Sequence, residues 1–157
     1  MSVLGGGTRP SLALPTAALL AVVLFGCGEG SGVEEGATVS VYAGAAVCPD
    51  ARAELARAGD EVESVRVRVL CVAPVERGGR LDLAVAGANA RRATEDSSSV
   101  AYIEARRPAV SFIRPILDEA EVALILDGSG AEGVATVLDA LRSRGGGESP
   151  REAVWNR

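Results

Sequence analysis

The sequence predicts an α/β sandwich of three layers: a four-stranded parallel sheet, in the order 2-1-3-4, with helices on both faces. Three observations predict it. Short strand-like runs alternate with longer helix-like segments, a pattern that calls for parallel strands joined by right-handed crossovers. Two of the runs, residues 100–103 (VAYI) and 122–126 (VALIL), are nearly unbroken apolar stretches, as expected of strands covered on both faces. The segments between the runs carry their apolar residues at helical spacing.

The first strand is residues 39–43, where branched and polar residues alternate, and a Gly/Ala loop follows through Val47. Pro49 fits the first turn of a helix, residues 51–58 are strong helix formers, and Gly59 is placed as its stop. Residues 65–72 (VRVRVLCV) give the clearest strand, with valines on one face and arginines on the other, as in an edge strand covered on one side. Past a loop at 74–80, residues 81–94 carry Leu81, Val85 and Ala88 at helical spacing, with Gly87 at a close-packed contact. Residues 96–99 turn the chain into the third strand, and both it and the fourth are expected to be central. Between those two, residues 108–120 read as a helix with Val110, Ile113 and Leu117 on one stripe and a bend at Pro115. A fourth helix over 131–144 turns Val134, Val137, Leu138 and Leu141 toward the sheet and stops at the Gly145-Gly146-Gly147 triplet. Ser149-Pro150-Arg151-Glu152 is a capping box with proline at the first helical position, so a short final helix is expected.

The region before the first strand has a different character. A single early cation, Arg9, precedes the uncharged run SLALPTAALLAVVLFG (residues 11–26), which has the form of a signal-peptide apolar region and is shorter than the roughly 20 apolar residues of a membrane span. Leu24-Phe25-Gly26-Cys27 closes it as a lipobox-like tetrapeptide: an aliphatic residue three places before the cysteine and a small residue immediately before it. The expectation is cleavage after Gly26, acylation (palmitate) of Cys27, and attachment to the cell membrane at its extracytoplasmic face. The Gly-rich acidic stretch that follows Cys27 cannot bury enough apolar surface to fold and reads as a tether. The expected organisation is therefore a signal peptide over 1–26, lipidated Cys27 and linker over 27–37, the α/β lobe over 38–145 and a tail with a short helix over 146–157. Removal of the leader leaves about 130 residues, enough for one domain and too few for two.

Composition excludes several functions. The chain has no His and no Lys, so its 16 basic residues are all Arg, and its formal net charge is −5. An acidic surface with 3% aromatic residues is no partner for a phosphate backbone, so no nucleic acid is expected. Without His there is no His-dependent triad, imidazole acid/base chemistry or His-rich metal site. The acid pairs Glu34-Glu35 and Glu61/Glu63 read as solvated charge. No enzyme activity, cofactor or metal is expected.

Cys48 and Cys71 remain after the anchor cysteine. They fall at the same edge of the sheet on neighbouring strands, and an exported location permits their pairing. A disulfide is the expected state; the alternative is a buried free thiol at Cys71, in phase with Val65, Val67 and Val69. In such a sheet, ligands sit outside the carboxyl ends of the strands, at the switch point between the first and third, and residues 43–48, 104–108 and 127–131 form that edge. Asp127-Gly128-Ser129-Gly130 lacks the glycine spacing and the Lys of a phosphate-cradling loop. Arg91-Arg92 and Arg106-Arg107 read as surface arginines, and Trp155 as a packing residue for the last helix.

The run GANARRATEDSSSVAYIEA (Gly87 to Ala105), followed by Arg114-Pro115-Ile116-Leu117-Asp118-Glu119-Ala120, resembles the first, Rossmann-like lobe of type I periplasmic binding proteins, especially branched-chain amino-acid-binding lipoproteins. The resemblance covers residues 38–130, and residues 149–154 resemble the family's C-terminal end. It implies solute capture, of an amino acid or similar small molecule, for an importer of the ABC class, with ligand contacts from Ala105, Arg106, Ser129 and Gly130. Two features depart from the family. Glu104 stands where a glycine is usual, and the second lobe, which closes over the ligand, is absent from this sequence unless a companion chain supplies it. The reading is a solute-binding-protein-like module of reduced function; its alternative is a non-catalytic envelope lipoprotein acting through protein–protein contacts.

Overall fold

A computed structural model describes residues 36–145 and 147–156. The leader, Cys27 and nearly all of the tether therefore lie outside the described residues. No helix among those described is long and apolar enough to cross a membrane.

The chain runs β1 (Thr38–Ala43), α1 (Cys48–Ala58), β2 (Glu61–Val62), β3 (Val65–Cys71), β4 (Glu76–Arg77), β5 (Arg80–Leu81), α2 (Leu83–Glu95), β6 (Ser99–Glu104), α3 (Arg107–Asp118), β7 (Ala123–Leu126), α4 (Ala131–Ser143) and α5 (Pro150–Trp155). The main sheet has five strands in the order β2-β3-β1-β6-β7. Its count and full order differ from the four-stranded expectation through one added edge strand, while β3-β1-β6-β7 follow one another in the succession 2-1-3-4. The added strand, β2, is a two-residue piece that pairs antiparallel with β3 at the sheet's edge, Glu61 opposite Arg66 and Val62 opposite Val65. The remaining pairs, β1 with β3, β1 with β6 and β6 with β7, are all parallel. The sheet is thus α/β and mostly parallel.

Three local differences have physical reasons. The β2–β3 hairpin turns through Glu63 (φ 48°) and Ser64 (φ 63°), a left-handed pair in which glycine or asparagine is usual. Without those residues the sequence carries no hairpin signal. Residues 74–80, expected as plain loop, contain all but Leu81 of a second hairpin, β4 with β5, turned by Gly78 (φ 58°) and Gly79 (φ 74°). The second helix begins at Leu83, because the Asp82 carboxylate caps it by accepting from the N–H groups of Ala84 and Val85.

The period-two pattern of β1 and β3 decides the core. Val39, Val41 and Ala43 of β1, Val65, Val67 and Val69 of β3, and Ala101 and Ile103 of β6 meet Ala51 and Leu55 of α1, the Val134/Val137/Leu138/Leu141 stripe of α4, and Val154 of α5. The opposite face carries Tyr42 and Tyr102, covered by Ala86, Ala90 and Ala93 of α2 and Ile113 and Leu117 of α3. Glycines allow close approach at two helix contacts: a Cβ on Gly133 would lie 2.9 Å from Ile103 Cδ1, and one on Gly87 3.3 Å from Phe112 Cε1. Helix α3 continues through Pro115 to Asp118, with Pro115 on its exposed side. β6 is buried throughout, as a central strand should be. β7 is not central: it closes one edge of the sheet, and Leu126 is 41% exposed.

At the amino-terminal edge, where α2 and α3 leave the sheet uncovered, polar side chains fill the gap. Tyr42 donates its hydroxyl to Asp96 Oδ2 (3.0 Å), Ser98 donates its N–H and hydroxyl to Asp96 Oδ1 (2.9 and 2.6 Å), and Arg68 donates to Ser40 and Ser98 (2.8 and 3.2 Å). Burial disfavours the ionised Asp96, but these donors outweigh it and hold the carboxyl at about 2. A depressed folded pKa means the contribution to stability is complete above the unfolded value and disappears as pH falls toward the folded one. In acid titrations of unfolding free energy, the parent should lose about 2 kcal/mol between about pH 4 and pH 2 that an Asp96→Asn variant does not lose.

Candidate functional site

A cleft of ≈ 350 Å³ opens at the carboxyl edge of the sheet. Ala45 and Ala46 from the loop after β1, Pro74, Val75 and Glu76 from the segment after β3, and Glu104 and Arg106 from the end of β6 line it. This is the switch region expected from the topology, though the third wall comes from the loop after β3 rather than the loop after β7.

Each wall is held in place. The loop after β1 leaves through Gly44, whose N–H donates to Ile103 O (2.9 Å) and whose missing side chain makes room for Glu104, since a Cβ there would lie 2.9 Å from Glu104 Oε2. The wall after β3 is tied to α2 by Asn89, which donates to Ala73 O (2.8 Å), and by Asp82 N–H, which donates to Val75 O (2.7 Å). The Cys48–Cys71 disulfide joins the start of α1, which follows the first loop, to the end of β3, which precedes the second, Cα to Cα 5.6 Å. Cys48 is buried at the start of α1 and Cys71 is exposed, so the alternative of a buried free thiol at Cys71 does not hold.

Glu104 is 2% exposed. Its Oε1 accepts from the N–H groups of Ala105 (3.0 Å) and Arg106 (3.1 Å), whereas Oε2 has no hydrogen-bond partner among the described residues. Burial raises its pKa, against the pull of those two N–H groups and the Arg106 charge. The neighbouring Tyr102 hydroxyl is also buried and lacks a well-formed hydrogen bond among the described residues; burial and then the Glu104 charge push its pKa far up, against the pull of the Asn89 side chain. At the cleft's mouth, Arg106 donates to Glu76 Oε2 (2.8 Å), both side chains being about half exposed.

Of the four residues the resemblance assigns to a ligand, Arg106 alone lines this cleft. Ala105 is packed against the core on the other face. Ser129 donates its N–H (3.0 Å) and hydroxyl (3.2 Å) to Asp127 Oδ1, and Asp127 Oδ2 accepts from Gly133 N–H (2.8 Å). Asp127 thereby caps α4 in place of Gly130, which occupies the cap position and has no side chain to do so. Burial opposes its ionisation, but those N–H donors hold its pKa below the ordinary value. Gly130 (φ 80°) packs against the loop after β1, where a Cβ would meet Val47 O at 2.2 Å. The loop after β7 is occupied with folding. Pro74, Val75 and Glu76 escaped the sequence reading because nothing in a Pro-Val-Glu stretch marks a binding wall; only the position just past a strand's carboxyl end hints at it.

No family model matches the chain, and no curated protein or solved structure gives a significant match.

Two outcomes follow from the cleft's construction. Closing a loop of 23 residues of sequence separation constrains the unfolded chain by about 3 kcal/mol, so Cys71→Ser or reduction of the parent should each lower the denaturant-derived stability by that amount, with reductant having no effect on the variant. Because the Glu104 pKa is raised in the folded state, its ionisation costs stability as pH climbs past the ordinary glutamate range. Glu104→Gln should therefore be more stable than the parent at neutral pH, the two converging as pH is lowered through that range.

Proposed function

We propose that this chain is a lipid-anchored, extracytoplasmic solute-binding module whose ligand is a small zwitterion, an amino acid or a close analogue, seated in the cleft between the loops after β1, β3 and β6. The carrying observation is the polar arrangement in an otherwise apolar cleft: the buried Glu104 with Oε2 unpartnered at the floor and the Arg106–Glu76 ion pair across the mouth. A zwitterion inserts its charges into such a pair, carboxylate toward Arg106 and ammonium toward Glu76 and Glu104, while Ala45, Ala46, Pro74 and Val75 face its apolar part. The ammonium also relieves the penalty of a buried carboxylate. The volume sits at the small end of ligand pockets, which suits a molecule of this size.

The lipobox-like Leu24-Phe25-Gly26-Cys27 supports anchoring at the outer face of the membrane, and the apolar, nearly uncharged leader supports export. The cleft is open on one side, so a bound solute remains partly hydrated. Millimolar affinity, about −4 kcal/mol, is the scale that half a closed site supplies. That suits a partner lobe or an importer completing the site better than capture by this chain alone.

Thermal unfolding of the full chain with leucine, alanine or glycine tests the reading. At about 10 mM, a millimolar ligand adds about 1.4 kcal/mol to stability, and Arg106→Ala should abolish the gain. Isolated amines or carboxylates should act more weakly than the zwitterions. The absence of any response at that concentration would reject solute binding, and co-purification of other envelope proteins would then favour a role in protein–protein contacts.

A further inference from the structure

We propose that the exposed edge of β7 is a self-association surface, pairing antiparallel with β7 of a second copy to make one continuous sheet across a two-fold axis. β7 pairs with β6 alone among the described residues. Asp127 N–H donates to Glu104 O (3.2 Å), which fixes the phase: the odd-numbered residues of β7 bond β6, and Leu124 and Leu126 turn their N–H and C=O outward. None of the backbone groups of Leu124 and Leu126 has a partner beyond the sheet among the described residues.

Protein sheets guard such edges with charge, proline, bulges or very short strands. The opposite edge of this sheet is guarded in that way: β2 is two residues long and carries the charge of Glu61. β7 reads Ala-Leu-Ile-Leu, with no charge, proline or bulge. A groove of ≈ 230 Å³ runs along it, with Arg114 and Asp118 of α3 on one side and Thr136, Val154 and Trp155 of α4 and α5 on the other. Trp155 is 38% exposed there.

The charges choose the occupant. Arg114 and Asp118 lie one turn apart on α3, both exposed, and neither has an ion-pair partner among the described residues. A two-fold axis normal to the sheet and passing by Ile125 pairs Leu124 with Leu126 of the second copy, and the reverse, each pair exchanging two main-chain hydrogen bonds. The same operation runs the two α3 helices antiparallel, which sets Arg114 of one copy against Asp118 of the other, twice. The patch is self-complementary, as an isologous interface requires. This surface is separate from the solute cleft and does not depend on it.

Sedimentation of the full chain over a range of concentrations should show a monomer–dimer equilibrium. Leu126→Pro removes one outward N–H without touching the ladder to β6, so the variant should keep the parent's circular dichroism while its dimer dissociation constant rises by about tenfold or more. Arg114→Asp should weaken the dimer, and adding Asp118→Arg should restore it. Hydrogen exchange at the Leu124 and Leu126 amides should slow as concentration rises. A monomer at every concentration would overturn the proposal; so would a dimer that Leu126→Pro and Arg114→Asp both leave unchanged, with those two amides exchanging freely.

Discussion

β1 has to be buried on both faces and bonded along both sides at once, and nearly every other feature follows from that. Its register with β3 places Ala43 beside Cys71, and its register with β6 brings Gly44 against Glu104. Where β1 ends, Glu104 leaves no room for a side chain at Gly44, and Ala45, Ala46 and Val47 lead on to α1. The two alanines make one wall of the cleft.

The two faces of the sheet are closed by different means. The α1/α4/α5 face is a conventional valine and leucine layer drawn tight by Gly133. The α2/α3 face is built around two tyrosines, and alanines on α2 let the helix approach them. Beyond the reach of α2, the Asp96 cluster replaces helix coverage with hydrogen bonds. Tyr42 bridges the two regimes, its ring in the core and its hydroxyl on Asp96.

Wherever a single periodic signal spanned an element, the sequence was readable. The valine/arginine alternation of β3, the α4 stripe and the Ser149/Glu152 capping box all occur where local pattern puts them. What local pattern missed was produced by partners distant in the chain. β2 exists because β3 offers it an edge, and its Glu63-Ser64 turn adopts a backbone that neither residue prefers. The apolar run of β7 reads as a doubly covered strand, yet no further strand lies beyond it among the described residues. Only Arg106 of the expected contact residues reaches the cleft, because the Asp127 loop has to cap α4 and the loop after β3 fills the space instead. Asp96, Ser40 and Arg68 are 28 or more residues apart in the closest of their cross-strand bonds, a spacing no periodicity records.

The disulfide is asymmetric in access. A thiol arriving from solvent meets exposed Cys71 and not buried Cys48, so exchange runs in one direction, forming the mixed species on the β3 side and expelling the sulfur at the head of α1. There the positive end of the helix welcomes a thiolate. Redox chemistry at this link therefore has a fixed polarity: the strand accepts the newcomer and the helix holds the leaving charge, while the β1–β3 ladder beside the link stays paired.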